Sequence, residues 1–241
     1  MRIDVIGSGN VATHLLRALT GLADVRQVIP RSLEGLRPDA DIRLICVSDS
    51  AIREVAERLP ASDAVTAHTS GATPLSAIAD IHTRCGVFYP LQTFSKDTEL
   101  EYSDIPFLIE GSDAATTSLL SEVASLISRD VREADSEMRQ KIHVASVFAC
   151  NFTNHLWTLA DEYMEKEGLD FKILLPLIRE SYRKIRDHRP GDVQTGPASR
   201  KDYPTIDRHL AALGQYHEMK EIYRILSSSI ISRTNDKETL K

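Results

Sequence analysis

Cysteine is scarce: the 241 residues hold three, Cys46, Cys85 and Cys150, far apart and each in an apolar setting. That spacing excludes a disulfide framework and a structural zinc site, and it suits buried thiols in a reducing compartment. Long hydrophobic runs are missing, since no stretch approaches the roughly 18 apolar residues of a bilayer span. Basic runs are missing too. With a net charge of −6 and no cationic track, nucleic acid is not an expected partner. There is no internal repeat and no low-complexity segment. The chain opens directly on the strand-like Arg2–Ile6, which leaves no room for a signal peptide, so the cytoplasm is the expected location.

What is present, 42% hydrophobic and 27% charged residues, describes an ordinary globular chain with a core. The first half alternates short apolar runs with helical patterns. Strands are expected at Arg2–Ile6, Val25–Ile29, Ile42–Val47, Ala64–Ala67, Gly86–Tyr89 and Pro106–Glu110. Helices are expected between them at Asn10–Leu19, Ser50–Leu59, Pro74–Asp80 and Ala114–Ser128. Such alternation predicts an α/β fold with a mostly parallel, Rossmann-type sheet covered on both faces. After about residue 133 the strand pattern stops, and an all-α region follows. Asp135 or Ser136 caps a long helix reaching Lys166, with further helices at Phe171–Asp187, Thr205–Leu213 and Gln215–Ile231. The expected domains are therefore 1–133, binding a dinucleotide, and 134–241, serving dimerisation and substrate. The Pro- and Gly-containing stretch Arg189–Tyr203 reads as a long ordered loop, a place where function often sits.

Gly7-Ser8-Gly9-Asn10-Val11-Ala12 joins the first strand to the first helix. The first glycine allows the tight turn, the second lets backbone approach a pyrophosphate, and the helix N-terminus favours the anion. The end of the second strand decides between nicotinamide cofactors. Instead of the acidic residue of an NAD site, this chain has Arg31-Ser32, suited to a 2′-phosphate, so NADP is expected. Glu34 lies close enough to compete with that reading. Val47, Ser48 and Asp49 end the third strand, and His68, Thr69, Ser70 and Gly71 end the fourth. Both clusters fall on the binding edge of the sheet, where Asp49 is either a ligand group or a helix cap.

On the long helix, Met138, Ile142, Ala145, Ala149, Phe152, Leu156, Leu159 and Tyr163 form an apolar stripe suited to packing against other helices. His143, Val147 and Asn151 fall within about 80° of arc facing away from it. His143 is a candidate proton donor and Asn151 a candidate orienting amide, with His68 a second donor; Lys141 lies near the stripe edge as a third catalytic candidate. Arg200 and Asp202 are candidate substrate clamps or interface residues, with His209 near them.

The order GSGNVA, CVSDSAI, HTSGA, FYPLQTF and KIHVASVFACN resembles uncharacterised Rossmann-like oxidoreductases with a helical C-terminal domain of unknown function. These are relatives of pyrroline-5-carboxylate reductase, ketopantoate reductase and prephenate dehydrogenase. The resemblance spans nearly the whole chain, including Gly196–Asp202 and His209. It implies an NADP-binding fold, a helical dimerisation domain, an active site between the two, and no particular substrate. Three specific chemistries do not transfer. The chain has Pro90-Leu91-Gln92-Thr93-Phe94 where the proline-forming reductase has Pro-Asn-Thr-Pro. Lys141 and Asn151 lack the one-turn spacing of hydroxyacid dehydrogenases, and His143 matches the prephenate dehydrogenase histidine only loosely. Gln92 and Thr93, like Thr69, Ser70 and Gly71, are candidate substrate contacts.

Two functions remain open at this level. One is a homodimeric NADP-dependent oxidoreductase moving a hydride to or from a small carbonyl or imine, with a carboxylate as an optional substrate feature. The other is a non-catalytic NADP-binding redox sensor. A third, an S-adenosylmethionine site, is opposed by Arg31.

Overall fold

The computed structural model describes residues 1–239, with side chains through Asn235. It contains a seven-stranded sheet in the order β2-β1-β3-β4-β5-β6-β7. The strands are β1 (Arg2–Ile6), β2 (Asp24–Val28), β3 (Ile42–Ile45), β4 (Val65–His68), β5 (Cys85–Pro90), β6 (Phe107–Gly111) and β7 (Val131–Glu133). Neighbours pair in parallel except β5 with β6, where Tyr89 faces Leu108 in antiparallel register. The exception has a simple cause. No α-helix carries the chain back after β5, so a strap from Leu91 to Pro106 delivers it to β6 at the same end of the sheet.

Strand residues alternate between two cores. Ile3, Val5, Ile42 and Leu44 pack with helices α1 (Asn10–Leu19) and α4 (Ala114–Ser125). Ile6, Val28 and Ile45 pack with α2 (Ile52–Arg58) and α3 (Ser76–Ala79) on the other face. Burial on both faces explains why the central strands read as continuous apolar runs. Asp4 in the middle of β1 is fully buried, and Arg37 satisfies it: Nε donates to Oδ1 at 2.7 Å and the backbone N–H to Oδ2 at 2.9 Å. Edge strand β7 gave no sequence signal because it is three residues long and two of them, Arg132 and Glu133, are charged. Helix α2 begins later than the expected Ser50, after a 3-10 turn at Asp49–Ala51.

The chain divides into two compact units, Met1–Phe152 and Thr153–Lys241. The expected change from strands to helices at residues 133–134 coincides with the junction between β7 and helix α5 (Ser136–Ser146), inside the first unit. Helix α5 starts where Asp135 accepts the Met138 N–H at 2.7 Å. It is fastened to the sheet by Arg139, which is 1% exposed, pairs with Glu110 of β6 and donates to the Thr73 carbonyl at 2.7 Å. A six-residue π-helical segment, Val147–Phe152, continues α5.

The second unit is helical: α6 (Thr153–Lys166), α7 (Leu175–Asp187), α8 (Tyr203–Ala212) and α9 (His217–Thr239). The expected loop Arg189–Tyr203 is ordered around two 3-10 turns, Pro190–Asp192 and Ala198–Arg200. Among the described residues, no helix is long and apolar enough to cross a membrane.

Candidate functional site

Strand β1 has β2 on one side and β3 on the other, so the chain leaves it in opposite directions and opens a crevice at its carboxyl end. Gly7 closes that end. A Cβ on Gly7 would lie 2.2 Å from the Cys46 carbonyl oxygen at the tip of β3, so no other residue fits. Gln27 donates to the Gly7 carbonyl at 2.8 Å and holds the turn from the β2 side. Gly9 is the N-cap of α1, carries no side-chain cap, and faces open space. The first helical bond runs from the Thr13 N–H to the Gly9 carbonyl. The amides of the preceding positions are therefore left for a ligand, with the positive end of the helix dipole behind them.

A cavity of about 1130 Å3 opens over this turn, built wholly from residues of the first unit. It exceeds the usual range of a small-molecule pocket, roughly 300–1,000 Å3, and has room for a nucleotide end and a second small molecule. Ser8, Gly9, Asn10 and Val11 form one side, and Val47, Ser48 and Asp49 with Thr69, Ser70 and Gly71 form the floor. Asp49 does not cap α2, as no side-chain cap bond is present there, and its exposed carboxylate faces the cavity.

The strap after β5 supplies the roof through Leu91, Gln92, Thr93 and Phe94. Helix α1 grips it along one face. Asn10 Nδ2 donates to the Phe94 carbonyl at 2.7 Å, His14 Nε2 to that of Ser95 at 2.8 Å, and Arg17 to that of Lys96 at 3.3 Å. The other His14 nitrogen meets the Tyr102 hydroxyl at 2.9 Å. Asn10 therefore offers a ligand its backbone amide, because its side chain is committed to the strap.

Helix α5 and its π-helical continuation supply a further wall. His143 and Asn151 both line the cavity, as their shared helix face predicted, but Ile142, Ala145 and Ala149 of the expected packing stripe line it as well. Phe152, the last residue of the π-helical segment, and Leu156 beyond it are exposed. Lys141 is elsewhere: it does not line the cavity, and its exposed ammonium pairs with Glu137 one turn back.

Tyr89 is the functional candidate that the sequence reading passed over. Its hydroxyl lies 3.2 Å from His143 Nδ1, with the two rings edge to face at 6.1 Å. A Cβ on Gly71 would fall 2.6 Å from Tyr89 Cζ and 2.7 Å from His143 Nδ1, so the glycine is what lets the pair meet. Burial pushes the Tyr89 hydroxyl above its ordinary pKa, against the opposing Ser146 hydroxyl, and keeps its proton on at neutral pH. A signal was available: Tyr89 ends a strand at the binding edge, the same argument that selected His68–Gly71.

His68 is fully buried beneath the floor and does not face the cavity. Burial, aided by the positive charge of Arg139, lowers its pKa to about 4, which leaves it a neutral strut whose Nδ1 accepts the Ser70 N–H at 3.2 Å. Arg31 and Ser32 are exposed on the turn that adjoins Pro30 at the cavity rim. In the second unit, Asp202 caps α8 by accepting the Thr205 N–H at 3.2 Å. His209 Nδ1 meets the Tyr223 hydroxyl at 2.9 Å, and Arg200 is exposed on a 3-10 turn. Among the described residues, no group of acidic, His and Cys side chains is arranged to hold a metal ion.

A sheet with this strand order, a glycine turn at its switch point and a helical C-terminal region defines a Rossmann-type protein. More particularly, residues 105–230 match the model of the domain of unknown function DUF2520, and the chain belongs to that family. It is similar over 96% of its length, and 98% of the other chain, to the putative NADP oxidoreductase BF3122 from Bacteroides fragilis, at 36% identity and a TM-score of 0.89. Protein TM1727 from Thermotoga maritima shares the fold at 21% identity and a TM-score of 0.73, covering 98% of this chain and 99% of that one. A reductive aminase from Aspergillus terreus, solved with NADPH and ethyl levulinate, shares it at 12% identity and a TM-score of 0.71, covering 98% and 94%. No curated protein matches the chain.

Two outcomes follow from the site geometry. Gly71→Ala will separate Tyr89 from His143, and the tyrosine absorbance titration will show a Tyr89 hydroxyl in altered surroundings; an unchanged titration contradicts the close approach. His68 should make the protein acid-sensitive. Its folded pKa of about 4 lies below the ordinary 6.5, so its contribution is complete above pH 6.5 and is lost as pH falls toward 4. The loss is about 3 kcal/mol. Denaturant melts across that window should show His68→Asn losing less than the parent, and parallel losses would refute the assignment.

Proposed function

We propose that the protein is an NADP-dependent oxidoreductase acting on a small carbonyl or imine. The observation that carries the reading is the Tyr89–His143 pair in the lining of the same cavity as an uncapped glycine turn. The turn fits a pyrophosphate, because the amides that follow Gly7 up to Ala12 are uncommitted, while the Gly7 N–H is held by the Val28 carbonyl, and Gly7 and Gly9 leave no side chain in the way. Arg31 and Ser32 at the end of β2 fit a 2′-phosphate, and the name of the Bacteroides fragilis relative points to the same cofactor.

Bound NADP would accept or supply the hydride. The protein's part is to handle a proton and hold the substrate. In the reducing direction the Tyr89 hydroxyl gives its proton to the substrate oxygen or nitrogen, and His143 Nδ1, in contact with that hydroxyl, restores it. The Asn151 amide orients the same heteroatom. Ile142, Ala145 and Ala149 receive the apolar part of the substrate and exclude water. No Lys or Arg is among the described residues lining the cavity, so the reading favours substrates without a carboxylate over those with one.

A homodimer through the helical unit belongs to the same proposal. Among its described residues, that unit buries only Leu159, Ala198, Ile206 and Leu213 as apolar side chains, while Leu175, Leu177, Tyr182 and Ile185 of α7 are exposed. So thin a core needs cover.

Fluorescence titration should give tighter binding of NADPH than of NADH. In a screen of NADPH oxidation against pooled ketones, aldehydes and imines, Tyr89→Phe and His143→Ala should each lower turnover by about 100-fold or more. Both variants should leave NADPH affinity nearly unchanged. Binding without turnover on any pool would favour the sensor reading, and no binding of either nucleotide would end both. Light scattering should give the mass of a dimer; a monomer would contradict the expected assembly.

A further inference from the structure

The turn after β2 is built more firmly than a surface loop requires. The Ile29 N–H donates to the Glu34 carbonyl at 3.1 Å and the Leu33 N–H to the Ile29 carbonyl at 2.8 Å, closing a small ring of backbone. Leu33 adopts a left-handed conformation, φ 58°, and packs its side chain on the core between the sheet and α2. Ser32 accepts the Glu34 N–H at 3.2 Å, which leaves its own O–H to donate. Among the described residues, the backbone amides of Arg31 and Ser32 make no backbone hydrogen bond. Behind this turn stands Arg58, the last residue of α2. One guanidinium nitrogen donates to the Pro30 carbonyl at 3.1 Å and another to the Arg31 carbonyl.

From these contacts we infer that Arg58 is a specificity-determining positioning residue for the 2′-phosphate of NADP. This rests on the reading that Arg31 and Ser32 receive that phosphate. A carbonyl oxygen facing a phosphate dianion repels it. Arg58 takes up two carbonyls of the turn at once, so the groups left to meet the ligand are donors: two amides, the Ser32 hydroxyl and the Arg31 guanidinium. The positive charge of Arg58 adds to the attraction. A lysine at the position reaches one carbonyl but lacks the planar fork that spans two. Arg58 is not among the residues lining the cavity over the glycine turn, so its effect is confined to the phosphate end of the cofactor.

The test uses the full-length protein and four probes. Calorimetry measures 2′,5′-ADP against 5′-AMP, and fluorescence measures NADPH against NADH, for the parent, Arg31→Ala, Arg58→Ala and Arg58→Lys, each checked by thermal melting. Arg58→Ala should weaken 2′,5′-ADP and NADPH by about tenfold while 5′-AMP and NADH stay within about twofold, and Arg58→Lys should recover part of the loss. Where turnover is measurable, the KM for NADPH should rise with kcat at saturation unchanged. If Arg31→Ala weakens 2′,5′-ADP and Arg58→Ala does not, the inference is wrong and the phosphate reading stands. If Arg31→Ala leaves 2′,5′-ADP unaffected, the phosphate reading itself fails. Equal losses for phosphorylated and unphosphorylated probes in Arg58→Ala, with no recovery in Arg58→Lys, would mark a merely structural arginine and overturn the inference.

Discussion

Contact between the Gly7 backbone and the Cys46 carbonyl governs the site. Two parallel strands that belong to opposite halves of the sheet end side by side, and the chain must turn between them with no side chain to spare. Everything that gives the crevice its character follows from that closeness. The helix can start directly on the sheet edge, its first amides stay uncapped, and the ends of β3 and β4 come within reach of whatever binds there. A larger residue would push the turn away from β3 and fill the space in which a phosphate chain would lie.

A second glycine plays the same part across the cavity. Gly71 allows strand β5, through Tyr89, and helix α5, through His143, to meet in one hydrogen bond. Arg139 fixes the helix for that meeting, pairing with Glu110 while Ser136 donates to the same carboxylate at 2.9 Å. A buried arginine is a costly way to attach a helix unless each partner is placed well, and here the carboxylate is shared with a hydroxyl and the guanidinium also serves a carbonyl. The wall that carries the candidate chemistry is thus fastened to the sheet by directional bonds more than by apolar packing.

Much of this was legible in the residues. The six apolar strands, the glycine turn and the capped start of α5 follow from periodicity, composition and Asp135, because each rests on local rules. The seventh strand did not, since Val131–Glu133 has no alternation and exists only by pairing with β6. Helical geometry puts His143 and Asn151 on one face and both line the cavity, and Ile142, Ala145 and Ala149 of the apolar stripe line it as well. Lys141 was selected by residue type and lies outside the cavity. Tyr89 and Arg58 were missed for a common reason: each acts through a partner distant in sequence, His143 in one case and the Pro30–Arg31 carbonyls in the other. His68 was correctly put at a strand end but on the wrong side of it, since a four-residue strand buried on both faces gives no alternation to tell floor from foundation.

The grip of α1 on the strap has an evolutionary consequence. Three side chains of one helix, Asn10, His14 and Arg17, suspend three successive carbonyls of the segment that roofs the cavity. The helix that starts at the glycine turn and the strap that lines the cavity are therefore a single mechanical piece. Side chains of the strap such as Gln92 and Thr93 can be exchanged without loosening it, because the suspension runs through backbone oxygens. Lengthening the strap is a different matter, since it would tear the roof from the helix. Diversification in this lineage should run through point changes on the roof and not through insertions into it.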